Sequence, residues 1–305
     1  GCNQACIGHT LNGQPISCIQ RPETGRELTF SHLSPAPEKK KILVIGGGPA
    51  GMKATAVAAS RGHSVKLIEA TSKLGGQVNL AERLPGRSEF GGITTNLENM
   101  LRTQDVEIKL NTEASLQLIR EEAPEVIILA TGGKSFEPKI EGKESAHVVT
   151  AWQLLEGKAN VGSRVVIADW RCDWVGLGVA ELLARQGCHV RLACNGMVPG
   201  QTINQYVRDN WLGTLHKLNV ETLTHLRLRG VDSDDTYFQH TLSEQPVILN
   251  DVDTLVTAFG SEATNTLEKD LRNKVQSELY VIGDALSPRS VEEAILDGLK
   301  TSAKI

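Results

Sequence analysis

Lys41-Ile42-Leu43-Val44-Ile45-Gly46-Gly47-Gly48-Pro49-Ala50-Gly51 is the stretch on which the reading of this chain turns. Ile42-Leu43-Val44-Ile45 is a continuous apolar run, the pattern of a strand buried on both faces of a sheet. Glycines end it, and residues 49–61 carry a small-residue helical pattern closed by Gly62. Residues 64–69 then read as a second strand, ending in an acid, Glu69. The order strand, tight turn, helix, strand and acid turns a weak glycine motif into a specific one. In Gly46-x-Gly48-x-x-Gly51 the first glycine permits the turn, the second lets the backbone approach a diphosphate, and the third lets the helix pack on the strand. The diphosphate would rest on the helix N-terminus beside Pro49 and Ala50. Glu69, followed by Ala70, would accept hydrogen bonds from ribose hydroxyls and would disfavour a 2′-phosphate. The bland alternative is a strand-turn-helix with no ligand.

Outward from this turn, residues 19–40 contain Pro22, Gly25, Pro35 and Pro37 and close with Glu38-Lys39-Lys40-Lys41, which predicts an extended connector ending in a solvated charged run. Val126-Ile127-Ile128-Leu129-Ala130 is a later buried strand. A second strand-turn-helix-strand series starts at Arg164-Val165-Val166-Ile167-Ala168 and echoes residues 41–69. A helix after Gln201, short strands of one small sheet over 220–249, buried strands at 253–259 and 279–282, and a helix over 290–303 complete the chain. The predicted class is α/β with parallel sheets: a cysteine-rich tail and linker at 1–40, a nucleotide-binding domain at 41–135 plus 250–305, and a second such domain inserted at 136–249.

At 305 residues the chain can bury a substantial core. Its 32 basic and 36 acidic residues leave a formal charge of −4, which gives no reason to expect nucleic acid as a partner. No apolar run approaches the ~20 residues that cross a bilayer, and no secretory signal order is present, so a cytoplasmic location without membrane attachment is expected. The opening Gly1-Cys2 reads as the start of a piece of a longer protein. Cys172, Cys188 and Cys194 lie in or beside apolar segments and read as structural thiols, since no Cys-x-x-Cys pair exists. The histidines lack zinc spacing, with His9 read as solvent-facing, and no Gly-x-Ser-x-Gly turn is present.

Three further segments end strands or border them: Leu74-Gly75-Gly76-Gln77, Ala130-Thr131-Gly132 and Val281-Ile282-Gly283-Asp284. Ligands of open α/β sheets bind at such strand ends, although Asp284 could equally be a local cap. Arg87, in Pro85-Gly86-Arg87, could meet a phosphate or lie in a surface loop. Together with Gly46 to Gly51 and Glu69, these segments resemble the two-dinucleotide-domain flavoproteins that include glutathione reductase. The spacing Cys2-x3-Cys6-x11-Cys18, with Pro22 and Glu27 after it, narrows the resemblance to the C-terminal half of the trimethylamine dehydrogenase and 2,4-dienoyl-CoA reductase family. The resemblance implies two Rossmann-like domains and FAD, or ADP, on the glycine turn. It also implies a [4Fe-4S] cluster on Cys2, Cys6 and Cys18 with its fourth ligand outside this chain, and FMN in a preceding (β/α)8 barrel. An external electron acceptor, such as an electron-transfer flavoprotein, is implied too, and a homo-oligomer is compatible with it.

The second series departs from the glycine pattern. After Ile167 it reads Ala168-Asp169-Trp170-Arg171-Cys172-Asp173-Trp174-Val175-Gly176-Leu177-Gly178. Tryptophans crowd the turn and two carboxylates would oppose a dianion, so nicotinamide nucleotide binding is disfavoured. By resemblance, this favours the branch acting on N-methylated amines, such as dimethylglycine or N-methylproline demethylases, over the NAD(P)H-dependent ene reductases. A non-catalytic ADP-binding module is the third alternative. No catalytic residue is expected within the chain itself.

Overall fold

The computed structural model describes residues 2–305. Two helical turns, α1 (His9–Leu11) and α2 (Glu27–Phe30), precede β1 (Lys41–Ile45), whose side chains alternate between two cores. Ile42 and Val44 join Ala50, Met52, Ile93, Leu97 and Ile295 on one face. Leu43 and Ile45 join Ile119, Ile127, Leu129 and Leu271 on the other. Burial of each large side chain contributes roughly 2 kcal/mol, so the apolar run is explained by its two-sided cover.

From β1 the chain continues through α3 (Pro49–Ser60), β2 (Ser64–Ile68), α4 (Val78–Ala81), α5 (Gly91–Arg102), β3 (Val106–Lys109), α6 (Leu116–Glu122) and β4 (Val126–Leu129). The short β5 (Gly133–Ser135) leads into β6 (Val148–Thr150), α7 (Ala151–Leu155), β7 (Arg164–Asp169), α8 (Trp174–Arg185) and β8 (His189–Cys194). Then follow α9 (Gln205–Lys217), β9 (Glu221–Leu223), β10 (Leu226–Val231), β11 (Thr236–His240), β12 (Pro246–Leu249) and β13 (Thr254–Ala258). Finally come β14 (Ser261–Ala263), α10 (Thr266–Lys274), β15 (Glu278–Val281) and α11 (Val291–Ser302).

The chain forms two units. The first comprises the residues up to Glu82, Ser88–Lys134 and Glu262–Ile305; the second, Arg83–Arg87 and Ser135–Ser261. The first unit holds a parallel sheet in the order β15-β4-β1-β2-β3. The second holds a parallel sheet in the order β6-β13-β7-β8-β9 and an antiparallel one, β10-β11-β12. Phe238, Leu226 and Leu249 of the antiparallel sheet share a core with Val166, Ala168 and Leu255 of the parallel one.

Three expectations need correction. Residues 254–258 do not return to the first sheet: β13 lies between β6 and β7 in the second. An all-buried strand carries no label for its sheet, so its run of apolar residues could not distinguish the two. The strands over 220–249 are not one sheet, because β9 adds to β8 in parallel while β10 to β12 form their own. The segment before β1 is more than an extended connector: Ile19 is buried in the first unit's core, and the Arg26 guanidinium donates to Ser17 Oγ at 2.7 Å.

In the first unit α11 lies directly on α3. A Cβ at Gly298 would stand 2.5 Å from the Ala50 carbonyl oxygen and 2.9 Å from the Ala54 amide nitrogen. Ser302 Oγ donates to the Ala54 carbonyl at 2.9 Å, and Arg61 donates to the Ser302 carbonyl at 3.0 Å. Gly298→Val should therefore destabilise the chain by about 3 kcal/mol in urea unfolding. Gly213→Ala, in an exposed part of α9 with open space at Cβ, should instead stabilise it by about 0.5–1 kcal/mol. Equal effects would contradict this packing.

Candidate functional site

The turn after β1 is shaped by what its glycines lack. Gly46 has φ 109°, and a Cβ there would run into the Ala130 carbonyl. A Cβ at Gly51 would strike the Gly46 carbonyl, so α3 starts closer to the strand than any larger residue allows. At Gly48, by contrast, a Cβ would meet no atom within 4 Å. Gly48 is the N-cap of α3 and brings no side-chain hydrogen bond, and Pro49 follows at the first helical position. The first-turn amides and the positive end of the helix dipole are thus not satisfied by a capping side chain, which suits an anion.

Glu69 sits directly beside this turn. Its Oε2 accepts from the Gly47 amide at 2.6 Å, and its Oε1 accepts from the amide and hydroxyl of Thr71 at 2.8 and 2.7 Å. Oε1 is thus taken up by two donors, and Oε2, with one, keeps acceptor capacity for a sugar hydroxyl. Gly75 donates to the Gly47 carbonyl at 2.9 Å, and a Cβ at Gly76 would stand 3.1 Å from the Gly48 Cα, so the Leu74 to Gln77 loop borders the turn. Gln77 Nε2 donates to Asp284 Oδ2 at 2.9 Å and lies beside Gly132. The amide of Thr264 donates to the Gly132 carbonyl at 2.9 Å, and the Thr131 hydroxyl donates to the Thr264 carbonyl. Gly283 approaches Ala50, and its amide donates to Asp297 at 3.1 Å, while Arg289 pairs with Asp297 and donates its amide to Asp284.

The structure therefore gathers Gly46, Gly48, Pro49, Ala50, Gly51, Glu69, Gly76, Gln77, Ala130, Thr131, Gly132, Gly283 and Asp284 beyond the C-terminal ends of β1, β2, β4 and β15 in the first sheet. Ala70 is exposed next to Glu69. Arg87 belongs to the second unit, where its guanidinium carbon lies 4.0 Å from the Trp174 ring centre and 4.7 Å from that of Trp211, stacked on two aromatic faces. Sequence reading missed Thr71, Arg289 and Asp297, which orient Glu69 and the Gly283 turn. A threonine two residues beyond a strand-end acid was the available signal for the first; the others have no local signature.

The corresponding turn in the second unit is filled from within. Asp173 caps α8, accepting from the Val175 amide at 2.9 Å. Asp169 is 2% exposed and accepts from the Cys172 amide at 2.8 Å, while a Cβ at Gly176 would collide with its carboxyl. Burial pushes the carboxyl of Asp169 well above its ordinary range, and the neighbouring Asp173 adds to the shift; burial raises Asp173 as well. The turn supplies acids where a dinucleotide would need amides.

Cys2, Cys6 and Cys18 are all free and half-buried. Burial pushes the Cys2 thiol up, and Cys6 and Cys18 are near enough to add to the effect. Gln20 donates its amide to Cys18 Sγ at 3.5 Å, the kind of N–H contact that a metal-bound thiolate accepts. Among the described residues no group of three or more His, Cys, Asp or Glu side chains surrounds a single metal-ion position. A [4Fe-4S] cluster spreads its ligands over several irons and requires four thiolates, of which this segment has three. His9 is not simply solvent-facing, because its Nε2 lies 3.0 Å from Glu292 in the first turn of α11. Cys172 and Cys194 are buried; Cys172 Sγ donates to Asn195 Oδ1 at 3.1 Å and Cys194 Sγ to the Gly196 carbonyl at 3.7 Å, and the influence of each thiol on the other lowers Cys172 to about 7 and raises Cys194. Among the described residues no helix is long and apolar enough to cross a membrane.

The pattern of the pyridine nucleotide-disulphide oxidoreductases matches residues 40–298. The chain is 29% identical to an N,N-dimethylglycine/sarcosine dehydrogenase of Chromohalobacter salexigens, over 97% of this chain and 48% of that protein. It is 32% identical to a metal reductase of Desulforamulus reducens over the same shares. A solved 2-naphthoyl-CoA reductase superposes with a TM-score of 0.91 at 32% identity, covering 100% of this chain and 46% of the other. The chain thus spans about half the length of the relatives it matches. Amine dehydrogenases and acyl-CoA reductases are both among these relatives, as the glycine turn, Glu69 and the cysteine spacing implied. The chain belongs to the pyridine nucleotide-disulphide oxidoreductase family, and within it to the oxidoreductases that include the amine dehydrogenases.

Proposed function

We propose that this chain is the nucleotide-binding, electron-transfer part of an iron–sulfur flavoprotein that oxidatively demethylates an N-methylated amine. The observation that carries the nucleotide assignment is the open N-terminus of α3 at Gly48, with Glu69 turned onto the same turn. In this reading the first-turn amides of α3 hold the diphosphate of FAD, or of ADP in the same site, and Glu69 holds the adenosine ribose. Gln77 and Asp284, bonded to each other at 2.9 Å, would meet the rest of the cofactor. FAD, when bound, supplies the redox chemistry. Cys2, Cys6 and Cys18 would provide three of the four thiolates of a [4Fe-4S] cluster. The substrate chemistry belongs to an FMN-bearing barrel elsewhere in the whole protein, and an external acceptor such as an electron-transfer flavoprotein takes the electrons. The dehydrogenase relatives support the amine branch, and the acid-filled turn of the second unit speaks against reduction by a nicotinamide nucleotide.

A second reading, an NAD(P)H-dependent ene reductase, is favoured by the likeness to 2-naphthoyl-CoA reductase. Two measurements bear on these readings. In Gly48→Val the backbone is extended and the new Cβ meets no protein atom within 4 Å, so the fold should survive while the new side chain occupies the diphosphate position. Nucleotide retention should fall about a hundredfold while the unfolding midpoint of the nucleotide-free chain stays unchanged; undiminished retention would contradict the site. Mixed with NADH in a stopped-flow spectrophotometer, the flavin-loaded chain should show no bleaching within seconds. Rapid bleaching would replace the amine reading with the reductase one.

A further inference from the structure

α3 contains one residue that its nucleotide role does not explain. Its sequence PAGMKATAVAAS is otherwise small or apolar, yet Lys53 is 2% exposed within it. A buried ammonium costs several kcal/mol unless a carboxylate meets it. The carboxylate is Glu23, 2.6 Å away and outside the helix, in the segment that follows Cys18. The lysine stem is covered in part by α11, where Gly298 would bring a Cβ to 3.1 Å of Lys53 Cβ.

Glu23 is tied in turn to the thiols. Arg26 donates to the Pro22 carbonyl at 3.1 Å and to Ser17 Oγ at 2.7 Å. The Ser17 amide donates to the Ala5 carbonyl at 2.8 Å. Ala5 and Ile19 enter the same core as Ala50, Met52 and Ala54 of α3. Cys6 therefore adjoins an anchored residue, and Cys18 stands between two. His9 and Glu292 add a second tie, to α11.

We propose that Lys53 is a positioning residue that seats the Cys2, Cys6 and Cys18 segment on the nucleotide-binding unit through its buried ion pair with Glu23. This deepens the reading above and rests on it for the purpose of the seat. One helix then offers its amino end to the nucleotide and its flank to the thiols.

The test labels the full chain, reduced and metal-free, with N-ethylmaleimide, and follows each cysteine by peptide mass. Cys172 and Cys194 serve as internal references. Lys53→Met and Glu23→Gln each leave one partner of the pair unmatched, and should raise labelling at Cys2, Cys6 and Cys18 about tenfold relative to the reference thiols. Lys53→Met leaves unmatched only the Glu23 carboxylate, the more accessible end of the pair, so that variant retains the fold. The double variant Lys53→Met/Glu23→Leu removes both charges and should return labelling to within about threefold of the parent. The proposal is overturned if the single variants leave the ratio unchanged, if Cys172 and Cys194 rise equally, or if the double variant is as open as the singles. Anaerobic iron and sulfide reconstitution of the parent chain with a supplied exogenous thiol reports separately on the cluster: absence of iron uptake would contradict the cluster reading, not the seat.

Discussion

Main-chain atoms approach one another around Gly46, Gly51 and Gly298 more closely than a Cβ would allow. This closeness brings the start of α3 against β1 and leaves the space beside Gly48 unfilled. A helix start normally draws a serine, threonine or aspartate to its free amides. Here the N-cap is glycine, and the nearest carboxylate, Glu69, is bonded to Gly47 rather than to the helix amides. In the proposed reading the positive end of α3 receives the diphosphate of a nucleotide and Glu69 its sugar. The loops carrying Gln77, Gly132 and Asp284 are arranged around that space.

The second unit repeats the strand-turn-helix and resolves the same physical problem differently. Asp173 accepts from the Val175 amide at the start of α8, and Asp169 occupies the interior of the turn as a buried carboxyl whose pKa burial pushes well above its ordinary range. Arg87, Trp174 and Trp211 form an aromatic stack in that unit. One fold thus occurs twice in a single chain, once with an open helix end and once with its own acids in place. The difference lies in a few turn residues and not in the sheets.

How much of this could be read in advance follows from the range of each signal. The strand Ile42 to Ile45, the glycine turn, Glu69 and the helix boundaries at 174 and 290 are local, set by side-chain size, capping and periodicity within a few residues. The sheet that receives residues 254–258 was not legible, because a strand buried on both faces looks alike in either. Arg87 was ambiguous for a similar reason: a guanidinium suits a phosphate or an indole, and the stack on Trp174 and Trp211 is set by tertiary structure. Lys53 gave no signal, since a lone lysine in a helix ordinarily reaches solvent and its partner lies 30 residues away in sequence. The folded character of residues 19–40 was hidden by prolines, which mark turns in both extended and compact segments.

The central claim is that the α3 amino end and Glu69 together recognise an adenosine diphosphate. Calorimetric titration of the nucleotide-stripped chain with ADP and with 2′-phospho-ADP tests it most directly. The account predicts one site for ADP, and binding of the 2′-phosphorylated compound weaker by at least about tenfold, since its dianion would face Glu69. Equal affinity for the two, or no binding of either, would contradict it.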